Sequence, residues 1–455
     1  MKLSAFFTSP NPVVRAGAWL LTFLLLALFW VMLLRFMSLD GVFSSLGKAG
    51  LGDTQAIMVI TLLPPLATAF LCWTGLRALR SGDPAPATAD AKLAPVAVPA
   101  PAVDPSEPLS IAAWSAITPL GDAGATLSRC LAGEKAFKPD SAIRNEEGHP
   151  VHAATIQDLP LEALGFPLAT RSRGERVPAM LVTVLDSLFN QQEKLARSSV
   201  STKVYLLQPE ALPSEVTLQG FAMAWAHSSW RHSKYELHLL PAATSDAYVT
   251  VNSLAPHLVA GRGQHALLLA ADSLVDPDEL RVPVALQEVF SNSVPEGFVP
   301  AEGGAGLMLV GGAYAREWNL VGTCSIGAAQ AQQRAADRGA AGKANCSTLP
   351  DSMTAAMVAA RAPAGEIGMV VSDTDHRLSG SVEVIRAMEQ VLPELDVLSR
   401  RLAPMALAGS FGAASDLIHL ALAAEAASAN GQPSLAVNVS HVRKTGAVVI
   451  TPSIA

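Results

Sequence analysis

The stretch Val294-Pro-Glu-Gly-Phe-Val-Pro-Ala-Glu-Gly-Gly-Ala-Gly-Leu-Met-Leu309 decides the fold prediction for this sequence. Its first part is rich in glycine and proline and extends through Gly304. Since glycine adopts positive φ angles without steric penalty, this part predicts a turn. The run 305–310 that follows is small and apolar throughout, which is typical of a strand covered on both faces. The stretch therefore predicts a glycine-rich turn that leads into a buried strand.

Apolar strands and helices alternate on both sides of this stretch. The patterns predict strands at 109–118, 202–207, 235–240, 265–271, 318–324, 367–371, 434–438 and 446–451. They predict helices at 123–132, 176–196, 249–259, 328–342, 353–362, 381–391 and 413–427. Such alternation predicts a layered α/β domain with mostly parallel strands and right-handed crossovers.

The composition points to a chain with an unusually apolar part. Of the 455 residues, 50% are hydrophobic and only 16% are charged, and the mean hydropathy is +0.33. The net charge is −7 without a basic block in the large domain, which argues against nucleic acid as a partner. The 4 cysteines show no C-x-x-C spacing, so neither a zinc site nor a disulfide framework is expected. We predict no metal and no cofactor.

The excess apolar residues lie at the N-terminus. The runs 16–34 and 54–76 contain no charged residue, and each is long enough to cross a hydrocarbon core of about 30 Å. Pro64 and Pro65 should kink the second run. The first run is too long for the apolar part of a signal peptide, and no A-x-A site follows closely. Residues 1–80 therefore predict a transmembrane hairpin of two helices.

Basic residues around the two runs predict the orientation of the hairpin. More of them lie outside the runs than between them: Lys2, Arg15, Arg77 and Arg80 against Arg35 and Lys48. Because basic residues favour the cytoplasmic side, we expect both termini and the large domain in the cytoplasm, at a bacterial inner membrane. The segment 81–108 is rich in proline and alanine, which predicts a semi-extended linker between the membrane and the domain at 109–455.

Five segments of the large domain follow one another in a characteristic order. They are Ile-Ala-Ala-Trp-Ser-Ala-Ile-Thr-Pro-Leu-Gly at 111–121, Leu-Ala-Gly-Glu-Lys at 131–135, the strand segment 263–277, Gly-Phe-Val-Pro-Ala-Glu-Gly-Gly-Ala-Gly-Leu at 297–307 and Phe-Gly-Ala-Ala-Ser-Asp at 411–416. Their order resembles the β-ketoacyl synthase branch of the thiolase-like superfamily. The resemblance covers about 109–455. It implies a duplicated thiolase-like domain of five α/β/α/β/α layers, which is commonly a dimer.

The catalytic residues of that family are not kept here. The family uses a cysteine at a helix N-terminus, assisted by two histidines. By the resemblance, these positions fall near Asp246, at Asp373 and at Gly409. The glycine-rich closing loop of the family is replaced by 440–446, which keeps one glycine. The resemblance therefore implies a degenerate member without the acyl-transfer chemistry, and we predict no catalytic residue.

Other residues offer a second interpretation of the same region. Ser245, Asp246, Asp373 and His376 would form a Ser-His-Asp arrangement if they converged on one pocket. The interpretation we favour is that both aspartates are polar fillers or helix caps. In that case Asp246 and Asp373 would be unpaired buried charges, whose removal leaves the fold intact or stabilises it. We expect Asp246, Asp373 and Gly409 to lie in one pocket.

Histidines and tryptophans elsewhere have structural interpretations. His227, His232 and His238 would ligate a metal only if they met in space, and surface positions are the more common outcome for such residues. The tryptophans of the large domain are expected to be core or interface anchors: Trp114, Trp225, Trp230 and Trp318.

These observations predict a membrane-anchored, inactive ketosynthase-like protein that serves as a binding or assembly module, for example as an accessory of a bacterial secretion system. Its partners would be the membrane and a protein, such as a second copy, an acyl carrier, a synthase or a secreted effector. Two alternatives stay open. One is an acyl-transfer or hydrolytic enzyme that uses a residue other than cysteine. The other is a partner of an active synthase that resembles a chain length factor.

Overall fold

The computed structural model describes residues 109–453 apart from positions 146, 211, 242–246, 262–263, 321, 335–347 and 442–443. The predicted membrane runs 16–34 and 54–76 and the linker 81–108 lie outside the described residues. Within the described part, no helix is long and apolar enough to cross a membrane.

The described strands are β1 (Leu109–Thr118), β2 (Gly121–Asp122), β3 (Lys138–Arg144), β4 (Pro150–Ala153), β5 (Thr202–Gln208), β6 (Tyr235–Pro241), β7 (His265–Ser273), β8 (Glu302–Gly311), β9 (Cys324–Ile326), β10 (Gln330–Gln333), β11 (Met369–Ser372), β12 (Arg401–Leu402), β13 (Ser434–Asn438) and β14 (Lys444–Pro452). The α-helices are α1 (Ala123–Leu131), α2 (Arg173–Gln191), α3 (Glu193–Ala196), α4 (Ser214–His227), α5 (Ala247–Ala260), α6 (Arg281–Ala285), α7 (Gly312–Glu317), α8 (Thr348–Ala360), α9 (Leu378–Val391), α10 (Pro404–Ala408) and α11 (Ser415–Asn430). Short 3-10 helices lie at Glu162–Leu164, Ala364–Glu366 and Gly412–Ala414.

The order of the strands in the main sheet shows an internal duplication. The path runs β12-β11-β13-β14-β9-β1-β8-β7-β5-β6. If the strands of this path are numbered in chain order within each half, both halves place them from the edge inward in the order third, second, fourth, fifth and first. In both halves the fifth strand, β8 or β14, is antiparallel to its two neighbours and the other neighbours are parallel. The predicted strands 305–310 and 446–451 thus lie in β8 and β14, at equivalent places in the two halves, as the implied duplication requires.

Helices cover the two halves in layers. The helices α2 and α4 pack together, and α2 lies on β1, β7 and β8 of the first half. The helices α8 and α9 pack together, and α8 lies on β14 of the second half. The helix α11 contacts strands of both halves, and α5 packs beside it. This arrangement is the layered α/β fold that the sequence predicts. The expectation of mostly parallel strands is wrong, because only four of the described strand pairs are parallel and β8, β9 and β14 pair antiparallel.

The strand β8 begins earlier than the sequence predicts. All its residues, from Glu302 onward, are buried, so the predicted turn through Gly304 is wrong at its C-terminal end. A side chain at Gly306 would place its Cβ 2.8 Å from carbon atoms of Val184, Leu188 and Leu269. Glycine at this position therefore lets α2 and β7 pack directly against the strand.

Two predicted elements are wrong, and the longest of the missed elements is a helix. The predicted strand at 318–324 is a turn after α7, and the strand β9 begins only at Cys324. The alanine-rich segment predicted as a helix at 328–342 contains the strand β10, which pairs with β14, while its residues beyond 334 lie outside the described part. Tertiary pairing overrides the helix propensity of alanine here. The helix α4 was missed because its apolar residues show little periodicity.

Candidate functional site

The first of the three positions that the resemblance assigns to catalytic residues lies outside the described part. Asp246 and its neighbour Ser245 lie outside the described residues, directly before the first residue of α5. The convergence of Asp246, Asp373 and Gly409 in one pocket therefore stays a prediction. The surroundings of the other two positions are described and limit what either could do.

Asp373 holds a backbone segment. Its side chain follows β11 and is buried. Oδ1 accepts a hydrogen bond from the backbone N–H of Val439 at 2.7 Å, and Oδ2 accepts one from that of Ser440 at 2.8 Å. A carboxylate that accepts two backbone N–H groups is a stabilising arrangement, so the expectation of an unpaired charge at Asp373 is wrong.

A buried arginine holds the same segment through its carbonyl groups. The guanidinium of Arg334 donates to the carbonyl oxygen of His441 at 2.5 Å and to that of Val439 at 3.3 Å. It also forms an ion pair with Glu383 at 2.7 Å, and both side chains are 3% exposed. Asp373 and Arg334 therefore fasten the backbone that begins the connection from β13 to β14, at the place of the family's closing loop.

Removing the Asp373 carboxylate should loosen this connection. In Asp373→Ala the N–H groups of Val439 and Ser440 lose their acceptor, and we expect the free energy of unfolding to fall by about 2–4 kcal/mol. Urea unfolding of the full chain measures the loss, and hydrogen exchange should rise at 439–440.

The control is Asp278→Ala, which removes a carboxylate paired with Arg281, both side chains being 78% exposed, and should change stability by less than about 1 kcal/mol. Equal stability of the two variants would contradict the structural role of Asp373.

Gly409, at the third position, leaves no room for a side chain. Its φ angle is +91°, and an added Cβ would lie 2.8 Å from the carbonyl oxygen of Val299 and 2.9 Å from Cβ of Ala301. The neighbouring Ser410 makes two backbone hydrogen bonds to the segment 299–301. Its N–H donates to the carbonyl oxygen of Val299, and its carbonyl oxygen accepts from the N–H of Ala301. A histidine could not be carried here without moving the backbone.

His376 belongs to an aromatic cluster. Its Nε2 donates to the carbonyl oxygen of Pro295 at 3.1 Å, and its ring packs edge to face on Phe290 with 4.8 Å between centroids. Phe290 also contacts His152 and Phe137, at 5.0 and 6.1 Å between centroids. These contacts do not support the Ser-His-Asp arrangement, because Nε2 of His376 bonds to a backbone carbonyl group and not to a serine or an aspartate.

The described cysteines are not nucleophiles. Cys130 and Cys324 are buried, and burial raises the pKa of each thiol to about 12. The reactive form of cysteine is the thiolate, which is negligible near neutral pH at such a pKa. On α11, burial lowers the pKa of His419 to about 3, so this histidine is neutral under the same conditions.

The histidines considered as metal ligands do not act together. His227 bonds through Nδ1 to the carbonyl oxygen of Met223, and His232 accepts from Arg231. His238 lies 3.2 Å from Glu236 and stacks on Tyr205. In the described part of the chain, no group of three or more potential ligands could hold a metal ion.

An arginine–carboxylate network was missed from the sequence. Arg176 makes two hydrogen bonds to Glu302, of 2.6 and 2.5 Å, while Ser273 and the N–H of Ile156 also donate to that carboxylate. Arg173 pairs with Asp272 at 2.6 Å. The network joins the start of α2 to the last residues of β7 and the first residue of β8. In the sequence, this network is indicated only by a charged residue within an apolar stretch, such as Glu302.

Asp272 extends this network to the second half of the domain. Its Oδ2 accepts the N–H of Ala413 at 2.8 Å, at the 3-10 helix that precedes α11. A Cβ at Gly412 would lie 2.1 Å from that oxygen, so glycine is required for the approach. Burial raises the pKa of Asp272, and the charge of Arg173 opposes this effect.

Three of the four tryptophans are internal anchors, as expected. Trp114 donates through Nε1 to Glu425 at 2.8 Å, Trp230 to the carbonyl oxygen of Leu185 at 2.9 Å, and Trp225 to that of Ser233 at 3.3 Å. Trp318 differs, because 43% of it is exposed at the end of α7.

Solved structures similar to this fold include ketosynthases and chain length factors. The ishigamide ketosynthase/chain length factor matches with a TM-score of 0.55 and 16% identity, over 76% of this chain and 99% of its own. A β-ketoacyl synthase from Burkholderia phymatum STM815 matches with a TM-score of 0.54 and 14% identity, over 76% and 100%. The complex AntDE:AntF, an acyl-carrier protein with its ketosynthase, matches with a TM-score of 0.54 and 11% identity, over 76% and 100%.

No family model and no curated protein matches the sequence. The structural likeness establishes the fold: residues 109–453, as far as they are described, form a ketosynthase-like layered α/β domain. The resemblance deduced from the motif order is thus confirmed at the level of the fold.

Proposed function

We propose that this chain is a membrane-anchored, catalytically inactive ketosynthase-like protein that acts as a binding or assembly module. The observation that carries the proposal is the backbone at Gly409, which leaves no space for the second histidine of the family. The engagement of both Asp373 oxygens by backbone N–H groups supports it. So do the high thiol pKa values of the buried cysteines.

The competing enzyme proposal makes a covalent prediction. An acyl-transfer or hydrolytic enzyme without a catalytic cysteine would carry the acyl group on Ser245 or Asp246. The full chain is exposed to a reactive acyl thioester and its intact mass is measured. We expect no adduct that survives isolation, and a stable adduct mapped to either residue would replace the inactive module with an enzyme.

A surface for a protein partner lies at the free edge of the first half. The strand β6 is the last in the path and pairs on one side only, with β5. On the same face as α5, Tyr205, His238 and Leu240 are only partly buried. The helix α5 itself exposes 48% of Val249. An unpaired strand beside apolar side chains is a common docking site for another chain.

The chain-length-factor alternative uses this same surface. Its support is that similar structures include ketosynthases paired with chain length factors. In that case the partner is an active synthase and not a second copy of this chain. The membrane location with a cytoplasmic domain, and an accessory role in a bacterial secretion system, belong to the proposal through the N-terminal sequence alone.

A charge on α5 should prevent partner binding. In Val249→Glu, association would bury a carboxylate in an apolar interface, and we expect at least a tenfold loss of the partner that copurifies with the full chain. The partner is assayed with a differently tagged second copy and with candidate synthases from the same cells.

The matched control is Val358→Glu on α8, the helix that packs on β14, where 73% of the residue is exposed. This variant should retain its partner. Equal binding by the two variants would exclude the α5 surface as the docking site.

A further inference from the structure

The described chain begins at one end of the strands that form the first half of the sheet. Leu109, the first residue of β1, pairs with Gly311, the last residue of β8. The pairing continues through β7, so that His265 lies one residue from that point, and Thr202 and Tyr235 open β5 and β6 beside it. We call this the entry end, because the linker from the N-terminal segment joins the domain here.

Several basic side chains at the entry end are exposed. Arg231, His232 and Lys234 are exposed in the loop 228–234 that leads into β6, and Lys194 is exposed in α3 before β5. Among the described residues, no carboxylate forms an ion pair with Arg231, Lys234 or Lys194. The chain as a whole has a net charge of −7, so these cations form a local exception.

Two of the acidic residues of this end have partners, while Glu317 next to Trp318 is exposed and Glu236 lies beside His238. Asp186 accepts the N–H of Ser229 at 2.6 Å, and Glu193 pairs with Arg197 at 2.8 Å. They therefore offset only part of the positive charge, and the remaining cations are available to an external anion.

The loop that carries these cations is held rigidly. Trp230 at its centre is fully buried, donates to the carbonyl oxygen of Leu185, and packs against Phe189 and Trp225 with 5.8 and 5.5 Å between ring centroids. The hydroxyl of Ser233 donates to the carbonyl oxygen of Ala196 at 3.0 Å. A loop fixed in this way presents its charged side chains with little further loss of backbone entropy on binding.

An exposed indole lies at the same end. Trp318 follows α7, which itself follows the last residue of β8, and 43% of it is exposed. Indole rings favour the region between lipid headgroups and hydrocarbon. Cations together with an exposed tryptophan match the chemistry of an anionic lipid surface.

We propose that the entry end of the domain docks on the anionic headgroups of the membrane through Arg231, Lys234 and Lys194, with Trp318 at the interface. This inference rests on the membrane anchor of the proposed function. An extended linker of about 3.1 Å per residue would reach far enough for other orientations. The proposed orientation is therefore selected by the basic residues and not by the length of the linker.

The test places the full chain in lipid nanodiscs of phosphatidylcholine, with or without phosphatidylglycerol. Hydrogen exchange is measured for 197–201 and 228–234. We expect exchange to be at least about tenfold slower in the anionic discs, and the difference to disappear at 1 M salt, where charges are screened within about 3 Å. The double variant Arg231→Glu with Lys234→Glu should lose the protection.

The matched control is Arg144→Glu with Arg281→Glu. These two arginines line one groove near the opposite end of the same half, beyond the last residue of β7. The control makes the same change of charge and should keep the protection. Its loss would show an effect of net charge alone and would overturn the site.

Two further outcomes decide the proposal. Equal exchange in the two kinds of disc would overturn it, and protection that appears only when a protein partner is added would assign the loop to an acidic protein instead. A chain that enters neither kind of disc would contradict the membrane anchor itself. Failure of the anchor is therefore distinguishable from failure of the headgroup contact.

Discussion

The variant Gly409→His, which restores the family's histidine, is expected to destabilise the protein by about 2–6 kcal/mol without producing activity. The position has a φ angle of +91°, which a residue with a Cβ adopts only at a cost of about 1–3 kcal/mol. The new Cβ would also lie 2.8 Å from the carbonyl oxygen of Val299, and relief of such crowding costs a further 1–3 kcal/mol or so. Urea unfolding of the full chain measures the sum.

The matched control is Gly365→His. No atom lies within 4 Å of a Cβ added there, and the residue belongs to a short exposed 3-10 helix. Its stability should change by no more than about 1 kcal/mol. If Gly409→His were as stable as this control, the backbone at 409 would have room for a catalytic side chain, and the main support for an inactive module would be lost.

The sequence predicts these positions by resemblance but not their surroundings. The motif 411–416 assigns the second histidine position to Gly409, three residues before Gly412. The crowding by Val299 and Ala301 was not visible, because these residues are far away in the chain and meet Gly409 only through backbone pairing. In the same way, the partners of Asp373 are N–H groups, which no side-chain pattern reveals.

The fold was more predictable than the site because apolar periodicity is a local property. The strands β5, β6, β7 and β13 appear close to their predicted bounds, since each is a short apolar run between turn residues. Prediction failed where non-local pairing decides the structure. The strand β10 is formed by glutamines and an alanine that pair with β14, and Glu302 joins a buried strand because Arg176 neutralises it.

A loss of stability of similar size is expected from Glu302→Gln. Glu302 is fully buried and Arg176 is 4% exposed, so neutralising the carboxylate leaves a guanidinium without its counter-charge in the core. Breaking a buried ion pair in this way costs about 3–5 kcal/mol. In addition, the N–H of Ile156, which lies 2.6 Å from the Glu302 carboxylate, would bond to a neutral amide, which is a weaker acceptor. Urea unfolding of the full chain gives the magnitude.

The reference for this prediction is Asp278→Asn, which neutralises one partner of an exposed pair with Arg281 whose side chains are both 78% exposed. Exposed pairs contribute about 0–1 kcal/mol, so this variant should resemble the unaltered protein. The double variant Glu302→Gln with Arg176→Met should recover part of the loss, since it removes the uncompensated charge as well. A double variant less stable than Glu302→Gln would mean that Arg176 acts mainly through its bonds to the carbonyl groups of Thr170 and Ile156.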